Sequence, residues 1–256
     1  MAGETIKIAR SDNYVTLSLN RAEKRNALNQ ALLSDLDSAL ASVENDKQIR
    51  ALLLRAEGRS FCSGLDLAEV DRLEGEHNPA NIQRVFQRLE RFPVPTIAAV
   101  NGAALAGGLE LALHCDLRIA GEGAKLGMPL GKVGLMPPFD FIRKLIEVLG
   151  TPATNLILFR GDAVSAREAL AMGMVHAVVP DAELEQAAIT WTTDIAGNAP
   201  LSLRAIKAAI RRCMSQANTA EHADIDQTAR QLRKSQDARE GSRAFLEKRK
   251  PVWRAE

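Results

Sequence analysis

A chain of 256 residues is long enough to form one large domain with a substantial hydrophobic core. Its 33 basic and 32 acidic residues leave a net charge of +1, which gives no reason to expect nucleic acid as a partner. The three cysteines have no CxxC or metal-ligand spacing, so we expect no metal site and a reducing compartment. Without a leader-like or membrane-length apolar run, the sequence predicts a cytoplasmic protein that has no membrane partner.

The first part of the chain alternates between extended and helical patterns. Residues 5–9 and 14–19 are predicted strands joined by a polar turn. Apolar residues at helical spacing predict an amphipathic helix over 32–43, and the apolar run 51–54 predicts a buried strand. Strand, helix and strand in this order indicate parallel α/β pairing.

The middle of the chain contains two predicted loops before the alternation resumes. Residues 58–64 form the first loop. The polar stretch 66–81 is either a mobile cover for a nearby site or a variable surface loop, and the pattern leaves both open. A helix over 82–92 and a strand over 96–100 follow.

Strands become short and helices dominate towards the end of the chain. We predict strands at 117–120, 125–127 and 175–179, a helix that begins near Pro152, and a capping box from Ser165 to Glu168. The last quarter is predicted to hold helices to about residue 195, then over 201–214, 219–238 and 241–250. We predict a spiral core over residues 1–195 and a helical C-terminal region over residues 196–256. No glycine- or serine-rich linker separates these two regions.

The stretch 100–116 joins an apolar strand to a helical pattern through glycines. Gly107 and Gly108 can adopt backbone conformations that other residues rarely reach. Free N–H groups at a helix start attract negative charge, and Glu110 lies in the first turn of the predicted helix. An oxyanion donor and a carboxylate within one turn are suited to stabilising and protonating an enolate.

Two motifs together resemble the crotonase (enoyl-CoA hydratase/isomerase) superfamily. They are FCSGLDL at residues 61–67 and NGAALAGGLELA at 101–112, the latter followed by Cys115-Asp116. Segments 166–175 and 245–250 extend the resemblance over nearly the whole chain. It implies an α/β spiral of ββα units with a helical C-terminal trimerisation region, assembled as a homotrimer or as a homohexamer of two trimers. It also implies a coenzyme A thioester as substrate, with no bound cofactor.

The resemblance assigns catalytic roles to two backbone groups and one side chain. The N–H groups of Leu65 and Gly107 would form an oxyanion hole, which stabilises the charge that grows on the thioester oxygen as an enolate forms. Glu110 corresponds to one of two glutamates with which hydratases of the family hold and activate water. Its apolar neighbours would let it enter a pocket that raises its pKa, although a solvated glutamate at a helix start is the alternative.

The second glutamate of the hydratase pattern is absent. Leu130 occupies its position after Gly-Met-Pro, and the Gly-Leu-Met-Pro turn at 134–137 sets the alignment. Because leucine cannot transfer a proton, the two-carboxylate mechanism is in question. The nearest polar substitutes are Lys132 and Asp140. Asp140 is the candidate replacement acid, with a helix-capping or surface role as its alternative.

The resemblance also predicts the groups that bind the substrate and its coenzyme A moiety. Contacts come from the loop before the first long helix, from the first motif and from a C-terminal lysine that a neighbouring subunit often supplies. The matching positions are Lys24, Arg25, Ala27, Ser63, Gly64, Asp66, Leu67, Leu130 and Lys248. Of these, Leu130 would contact the acyl group of the substrate. A lysine would bind phosphate as a point charge. The alternative, for the basic residues near the N-terminus and for those near the C-terminus, is that they are simply exposed runs of charge.

The resemblance predicts an acyl-CoA-processing enzyme of the enoyl-CoA hydratase/isomerase type. The missing glutamate keeps three other reactions on the same fold open: Δ3,Δ2-isomerisation, decarboxylation of a malonyl-type thioester and thioester hydrolysis. A protein that binds coenzyme A thioesters without catalysis is the alternative from another class.

Overall fold

The computed structural model describes residues 4–66, 79–216, 227, 230, 231 and 233–252. In this part of the chain the strands are β1 Ile6–Arg10, β2 Tyr14–Leu19, β3 Ala51–Ala56, β4 Ser60–Cys62, β5 Thr96–Val100, β6 Ala103–Leu105, β7 Leu117–Gly121, β8 Lys125–Gly127, β9 Val164–Ser165 and β10 Ala177–Val179. The helices are α1 Gln30–Val43, α2 Pro79–Glu90, α3 Gly107–Leu113, α4 Phe139–Arg160, α5 Ala166–Ala171, α6 Leu184–Ala196, α7 Pro200–Gln216 and α8 Gln236–Leu246. No helix among these residues combines the length and the apolar character needed to cross a bilayer.

The strands form two sheets, and the chain passes back and forth between them. The larger sheet has the order β1-β2-β3-β5-β7-β10, and the smaller has the order β4-β6-β8-β9. Each of the consecutive pairs β3/β4, β5/β6 and β7/β8 therefore gives one strand to each sheet, and a helix follows each pair. Neighbouring strands are parallel except for β1 with β2 and β8 with β9. The α/β spiral of ββα units is confirmed.

The middle strands of the larger sheet, β3 and β5, are buried on both faces, which explains why they are almost entirely apolar. Along β3, Leu52 and Leu54 pack in the cluster that contains the leucines of α1. Leu53, between them, packs in a second cluster with Leu184 and Ala188 of α6. Successive side chains of a strand point to opposite faces, so an apolar residue is needed at every position.

Two short segments depart from the expected pattern. β4 lies inside residues 58–64, which were predicted to form a loop. The prediction is therefore wrong for Ser60–Cys62. Three residues cannot display a strand period, and the partner of β4 is β6, some forty residues later in the chain. The helix α2 begins at Pro79, so the last residues of the predicted loop 66–81 are helical, and proline is favoured at a first turn. Residues 67–78 lie outside the described part of the chain. The two alternatives for this stretch, a mobile cover for the site and a variable surface loop, therefore both stay predictions.

The later helices confirm one predicted boundary and correct another. α4 has non-helical backbone at Gly150 (φ 70°, ψ 166°), so a new helical segment starts near Pro152 as predicted. The expected boundary between helices near residue 240 is wrong, because α8 continues through Gly241. A Cβ atom on Gly241 would lie 2.5 Å from the carbonyl carbon of Val133. This glycine permits close packing inside a helix and does not end one.

The helix α7 is attached to the sheet by a buried ammonium group. Lys207 Nζ donates to Asp116 Oδ2 at 2.6 Å and to the Val94 carbonyl at 3.0 Å. The same Asp116 oxygen accepts hydrogen bonds from the N–H and hydroxyl groups of Thr96. α7 is thus held to the core through Lys207, the one buried residue among its described side chains, whereas the proposed division at residue 195 stays a prediction.

Candidate active site

The loop before α1 is held in place by a fully buried asparagine. Asn26 Nδ2 donates to the carbonyls of Glu57 and Ser60, at 2.9 and 2.8 Å. Its Oδ1 atom accepts a hydrogen bond from the Arg21 N–H at 2.8 Å. The backbone of Asn26 is left-handed (φ 53°), a conformation that asparagine tolerates better than most residues. One side chain therefore ties this loop to the connection between β3 and β4.

The pairing of this loop with the segment after β4 orients one backbone donor. Leu28 donates to the Gly64 carbonyl at 2.7 Å, and Asp66 donates to the Leu28 carbonyl at 2.9 Å. Leu65 lies between these two bonds in a parallel bridge with Leu28. Since backbone groups alternate in direction along an extended chain, the Leu65 N–H points away from Leu28.

The start of α3 lies directly against this segment. Gly64 has φ 95°, and a Cβ atom there would approach Ala106 Cβ to 3.0 Å. A Cβ atom on Gly107 would lie 3.9 Å from the Leu65 nitrogen. The Gly107 N–H belongs to the first turn of α3 and has no acceptor within the helix. The structure thus brings together the two backbone N–H groups that the sequence assigned to an oxyanion hole.

Close packing makes the turn before α3 dependent on small residues. A Cβ atom on Gly108 would lie 2.1 Å from the Cys62 carbonyl oxygen. Ala106, with φ 50° and ψ −120°, adopts a strained backbone conformation and donates its N–H to the Gly127 carbonyl at 2.9 Å. The Cys62 thiol is buried, and burial raises its pKa to about 12. It is therefore protonated at neutral pH and unsuited to act as a nucleophile.

Glu110 is buried one turn after Gly107, with 5% of its surface exposed. Its Oε1 atom accepts a hydrogen bond from Gln83 Nε2 at 3.1 Å. Burial raises the pKa of Glu110 to about 8, the Gln83 hydrogen bond lowers it, and the charge of Asp140 raises it further. The carboxyl group can therefore gain and lose a proton near neutral pH, as an acid/base group must. Its burial agrees with the pocket interpretation and not with a solvated glutamate.

The candidates for the missing second acid differ in their positions. Asp140 lies in the first turn of α4, where its charge acts on Glu110 and Arg143 Nη2 lies 3.7 Å from its Oδ1 atom. Lys132 forms a surface ion pair with Asp162 instead. Leu130 is partly buried and packs against the main hydrophobic core. Asp140 is therefore the candidate whose charge acts on Glu110. Its role as an acid stays a prediction.

Gln83 was missed by the sequence reasoning. It lies in α2, where the amphipathic pattern assigns it to the polar side of the helix. Nothing in the local sequence indicates that α2 passes beside Glu110 of α3, because the two residues are 27 positions apart. A glutamine next to buried helix positions is too common to signal a site by itself.

A partly buried network of ionisable side chains lies between α2, α3 and α4. Lys144 Nζ contacts Glu90 Oε1 at 2.6 Å and Glu147 Oε1 at 3.1 Å. His114 Nε2 lies 3.8 Å from Glu90, and His114 Nδ1 lies 2.8 Å from the Glu110 carbonyl oxygen. Burial lowers the pKa of His114, so its ring is neutral at neutral pH. This network fixes the three helices around Glu110.

The positions predicted to bind coenzyme A near the N-terminus form one surface. Lys24 is exposed at the end of a 3-10 turn, and Ala27 is buried three residues later. Arg25 has φ 51°, and its carbonyl accepts the Ser63 N–H at 3.1 Å. Gly64 follows directly. The structure therefore joins the two loops that the resemblance selected.

The remaining predicted contacts are more scattered. Asp66 forms an ion pair with Arg21 at 2.7 Å, so its carboxylate is engaged within the protein. Lys248 is exposed after α8, where its N–H donates to the Phe245 carbonyl. Among the described residues, Lys248 forms no hydrogen bond or ion pair with the loops near Arg21. Leu67 lies outside the described residues.

Comparison with known proteins places the whole chain in one family. The family model of enoyl-CoA hydratase/isomerase matches residues 10–256. A 2,3-dehydroadipyl-CoA hydratase of Escherichia coli (strain K12) is 35% identical over 249 residues, which are 96% of this chain and 97% of that protein. A crotonyl-CoA hydratase of Syntrophomonas wolfei is 35% identical over 262 residues, with 98% of each protein covered. The solved structure of a methylmalonyl-CoA decarboxylase covers 100% of both chains with a TM-score of 0.89 and 28% identity. The chain belongs to the enoyl-CoA hydratase/isomerase family.

Proposed function

We propose that the protein hydrates 2-enoyl thioesters of coenzyme A. The observation that carries this proposal is a buried carboxyl group, Glu110, one turn after Gly107, whose backbone N–H lies close to that of Leu65. The hydratases among its relatives support the same reaction. The oxyanion hole and the acid/base group are the two elements that this chemistry requires.

In the proposed mechanism the thioester carbonyl oxygen accepts hydrogen bonds from the N–H groups of Leu65 and Gly107. These donors stabilise the negative charge that develops on that oxygen when water adds to C3. Glu110 takes a proton from the water and returns one to C2 of the enolate. Its pKa of about 8 suits both steps, because neither protonation state is strongly disfavoured near neutral pH.

The coenzyme A moiety is proposed to lie along the two joined loops near the N-terminus. Lys24 and Arg25 would face the phosphates, whereas Ser63 and Gly64 would offer backbone groups. Exposed Lys248 would come from a neighbouring subunit. Asp66 has a structural part through Arg21, so we expect its contribution to binding to be indirect.

Crotonyl-CoA turnover in deuterium oxide tests the proposed reaction. Hydration removes the absorbance of the enoyl thioester and produces 3-hydroxybutyryl-CoA with deuterium at the α-carbon. If crotonyl-CoA is not hydrated, the reaction that the protein catalyses on another thioester would replace the proposed one. Turnover of a 3-enoyl thioester would indicate an isomerase, turnover of a malonyl-type thioester a decarboxylase, and cleavage of another acyl thioester a hydrolase. Tight binding without chemistry on all four kinds of thioester would indicate a binding protein.

We also propose that the chain assembles as a trimer or as a pair of trimers through its C-terminal region. Support comes from large apolar side chains left exposed on late helices, with Leu201 80% exposed. Ile206, Ile210 and Met214 are exposed at a spacing of four residues, which puts them on one face of α7. Sedimentation equilibrium should give a trimeric or hexameric mass, and Ile210→Glu should reduce it. A monomeric wild-type protein at micromolar concentration would refute this assembly.

A cytoplasmic location is likewise our proposal. Cys62, Cys115 and Cys213 are all free thiols, which a reducing compartment maintains. Fractionation of cells that express the tagged protein at its natural level would test it. Recovery in a secreted fraction would contradict it.

A further inference from the structure

Gln83 contacts the proposed catalytic carboxylate directly. Its Nε2 atom lies 3.1 Å from Glu110 Oε1, and the two side chains come from different helices, α2 and α3. A hydrogen bond from a neutral amide to a carboxylate fixes the carboxylate's orientation and favours its charged form. Gln83 therefore supports Glu110 in the state in which it can accept a proton.

The other end of the same amide has an unused acceptor. Gln83 Oε1 is fully buried and has no hydrogen-bond partner among the described residues. A buried acceptor without a partner loses its hydrogen bonds to water without replacement, so proteins rarely retain one without a use. This oxygen belongs to the same amide as the nitrogen that contacts Glu110. The acceptor without a partner therefore lies beside the hydrogen bond to Glu110.

The position that usually carries the second polar group cannot supply it here. Leu130 has no hydrogen-bonding atoms in its side chain and packs against the core. Among the described residues, Asp140 of α4 is the charged group that acts on Glu110, and Arg143 of α4, His114 after α3 and Glu90 of α2 belong to the neighbouring ionisable groups. Arg143 lies near Asp140, His114 bonds to a backbone carbonyl, and Glu90 is paired with Lys144. Gln83 is the polar side chain in direct contact with the Glu110 carboxylate.

We propose that Gln83 is the second hydrogen-bonding group of the pocket, with Nε2 holding the Glu110 carboxylate and Oε1 accepting a hydrogen bond from the reacting water. This proposal rests on the hydration reaction proposed above. The water oxygen forms a bond to C3, and the electron pair of the C2=C3 double bond moves to C2 and the thioester carbonyl. One water proton passes to Glu110, which then protonates C2. The other O–H bond remains intact, donates to Gln83 Oε1 and becomes the 3-hydroxyl of the product.

An amide in this role has a definite chemical consequence. Gln83 cannot donate a proton as a carboxylic acid does, so both proton transfers fall to Glu110. The proton delivered to C2 is then one that Glu110 has taken from water, and addition occurs on one face of the double bond. Reactions that need Glu110 but no added water do not need Gln83 Oε1.

The test compares Gln83→Leu with the wild-type protein in two reactions. Hydration of crotonyl-CoA should fall at least 30-fold in kcat, with KM within threefold. Exchange of the α-proton of butyryl-CoA in deuterium oxide requires Glu110 and the oxyanion hole but adds no water. Compared at the high-pH plateau of each protein, this exchange should fall less than tenfold and by clearly less than hydration. Gln87→Leu, the same change one turn along α2, is the matched control and should alter neither rate.

Other outcomes overturn the proposal or the reaction beneath it. Unchanged hydration by Gln83→Leu removes Gln83 from the mechanism. Equal losses of hydration and exchange in a folded variant mean that Gln83 acts only by positioning Glu110 and does not hold water. If Gln83→Leu does not fold, Gln83→Met removes the amide and keeps the length of the side chain, and it should show the same selective loss of hydration. A Gln83→Met protein that hydrates like wild type counts against the proposal. A wild-type protein that exchanges the α-proton but does not hydrate refutes the proposed function itself.

Discussion

The two halves of the candidate site are built in different ways. The half that would bind the thioester oxygen consists of backbone N–H groups at Leu65 and Gly107, placed by two chain segments in near-contact. The half that would move protons consists of side chains, Glu110 and Gln83, from two helices. The first half tolerates almost no added volume, whereas the second can exchange one polar group for another. A family that keeps the first and changes the second can alter its chemistry without rebuilding its fold.

The largest effect is expected from adding one methyl group to the backbone half. Gly108→Ala would place a Cβ atom 2.1 Å from the Cys62 carbonyl oxygen, so α3 or β4 must move. We expect at least about 3 kcal/mol of destabilisation and loss of measurable hydration. Chemical denaturation and crotonyl-CoA turnover measure both. Gly131→Ala is the control, because the nearest atom would be 3.6 Å away. A Gly108→Ala protein as stable and active as that control would refute this packing argument.

Glu110→Gln should remove the chemistry and leave the backbone half intact. We expect kcat to fall by roughly 10³-fold or more, because an amide cannot accept the proton. Affinity for crotonyl-CoA, measured by calorimetry, should change less than threefold, since the oxyanion donors remain. Retained turnover would exclude Glu110 from the mechanism.

Burial of Glu110 should also make stability depend on pH. Its pKa is about 8 in the folded protein and near 4.5 when unfolded, so the folded state binds the proton more tightly. The resulting stabilisation is fully present below about pH 4.5 and is lost as the pH rises to about 8, by on the order of 4 kcal/mol. Urea unfolding from pH 5 to pH 9 should show a decline that Glu110→Gln lacks. Parallel pH profiles for the two proteins would contradict the raised pKa.

Asn26→Ala tests whether the backbone half depends on a side chain that is distant from the chemistry. The change removes three buried hydrogen bonds at a left-handed position, and we expect about 3 kcal/mol of destabilisation. Hydration should fall as well, because the loop that pairs with Gly64 is released. Asn20→Ala removes one exposed bond to the Glu4 carbonyl and should change stability by less than about 0.5 kcal/mol. Similar losses in both variants would mean that Asn26 has no special part.

The smallest effect concerns the outer edge of the side-chain half. Asp140→Asn removes a negative charge that raises the pKa of Glu110. The low-pH limb of the kcat/KM profile should therefore move to lower pH by less than about one unit, with the maximum rate nearly unchanged. Loss of hydration at every pH would instead make Asp140 the replacement acid.

Much of the fold and of the backbone half could be predicted from the sequence because their constraints are local. A Cβ atom would crowd backbone at Gly64 and Gly108 and the side chain of Leu28 at Gly107, so the two motifs depend on glycine at fixed positions. Glu110 is found by its offset from those glycines. The small sheet was only partly predicted, since β4 and β6 have three residues each and pair across long sequence separations.

The side-chain half was harder to predict because it depends on tertiary contacts. Gln83 reads as an ordinary polar helix residue until α2 is seen beside α3. Asn26 likewise lies in a charged loop whose sequence gives no sign that it is fully buried. Gly241 was misread for the same reason: its close neighbour is Val133, more than 100 residues earlier. In a sequence, a glycine or a polar residue can indicate either the end of a helix or strand or a close tertiary contact. The residue that lies against it in the fold distinguishes the two cases.

The distribution of the three thiols has a practical consequence for experiments on this protein. Burial raises the pKa of Cys62 and of Cys115 to about 12, whereas Cys213 is exposed on α7. A maleimide dye at neutral pH should therefore label one position without any cysteine being removed by mutation. Because Cys213 lies beside the exposed apolar face of α7, the fluorescence of that dye would report directly on whether subunits come together there, and how fast they separate on dilution.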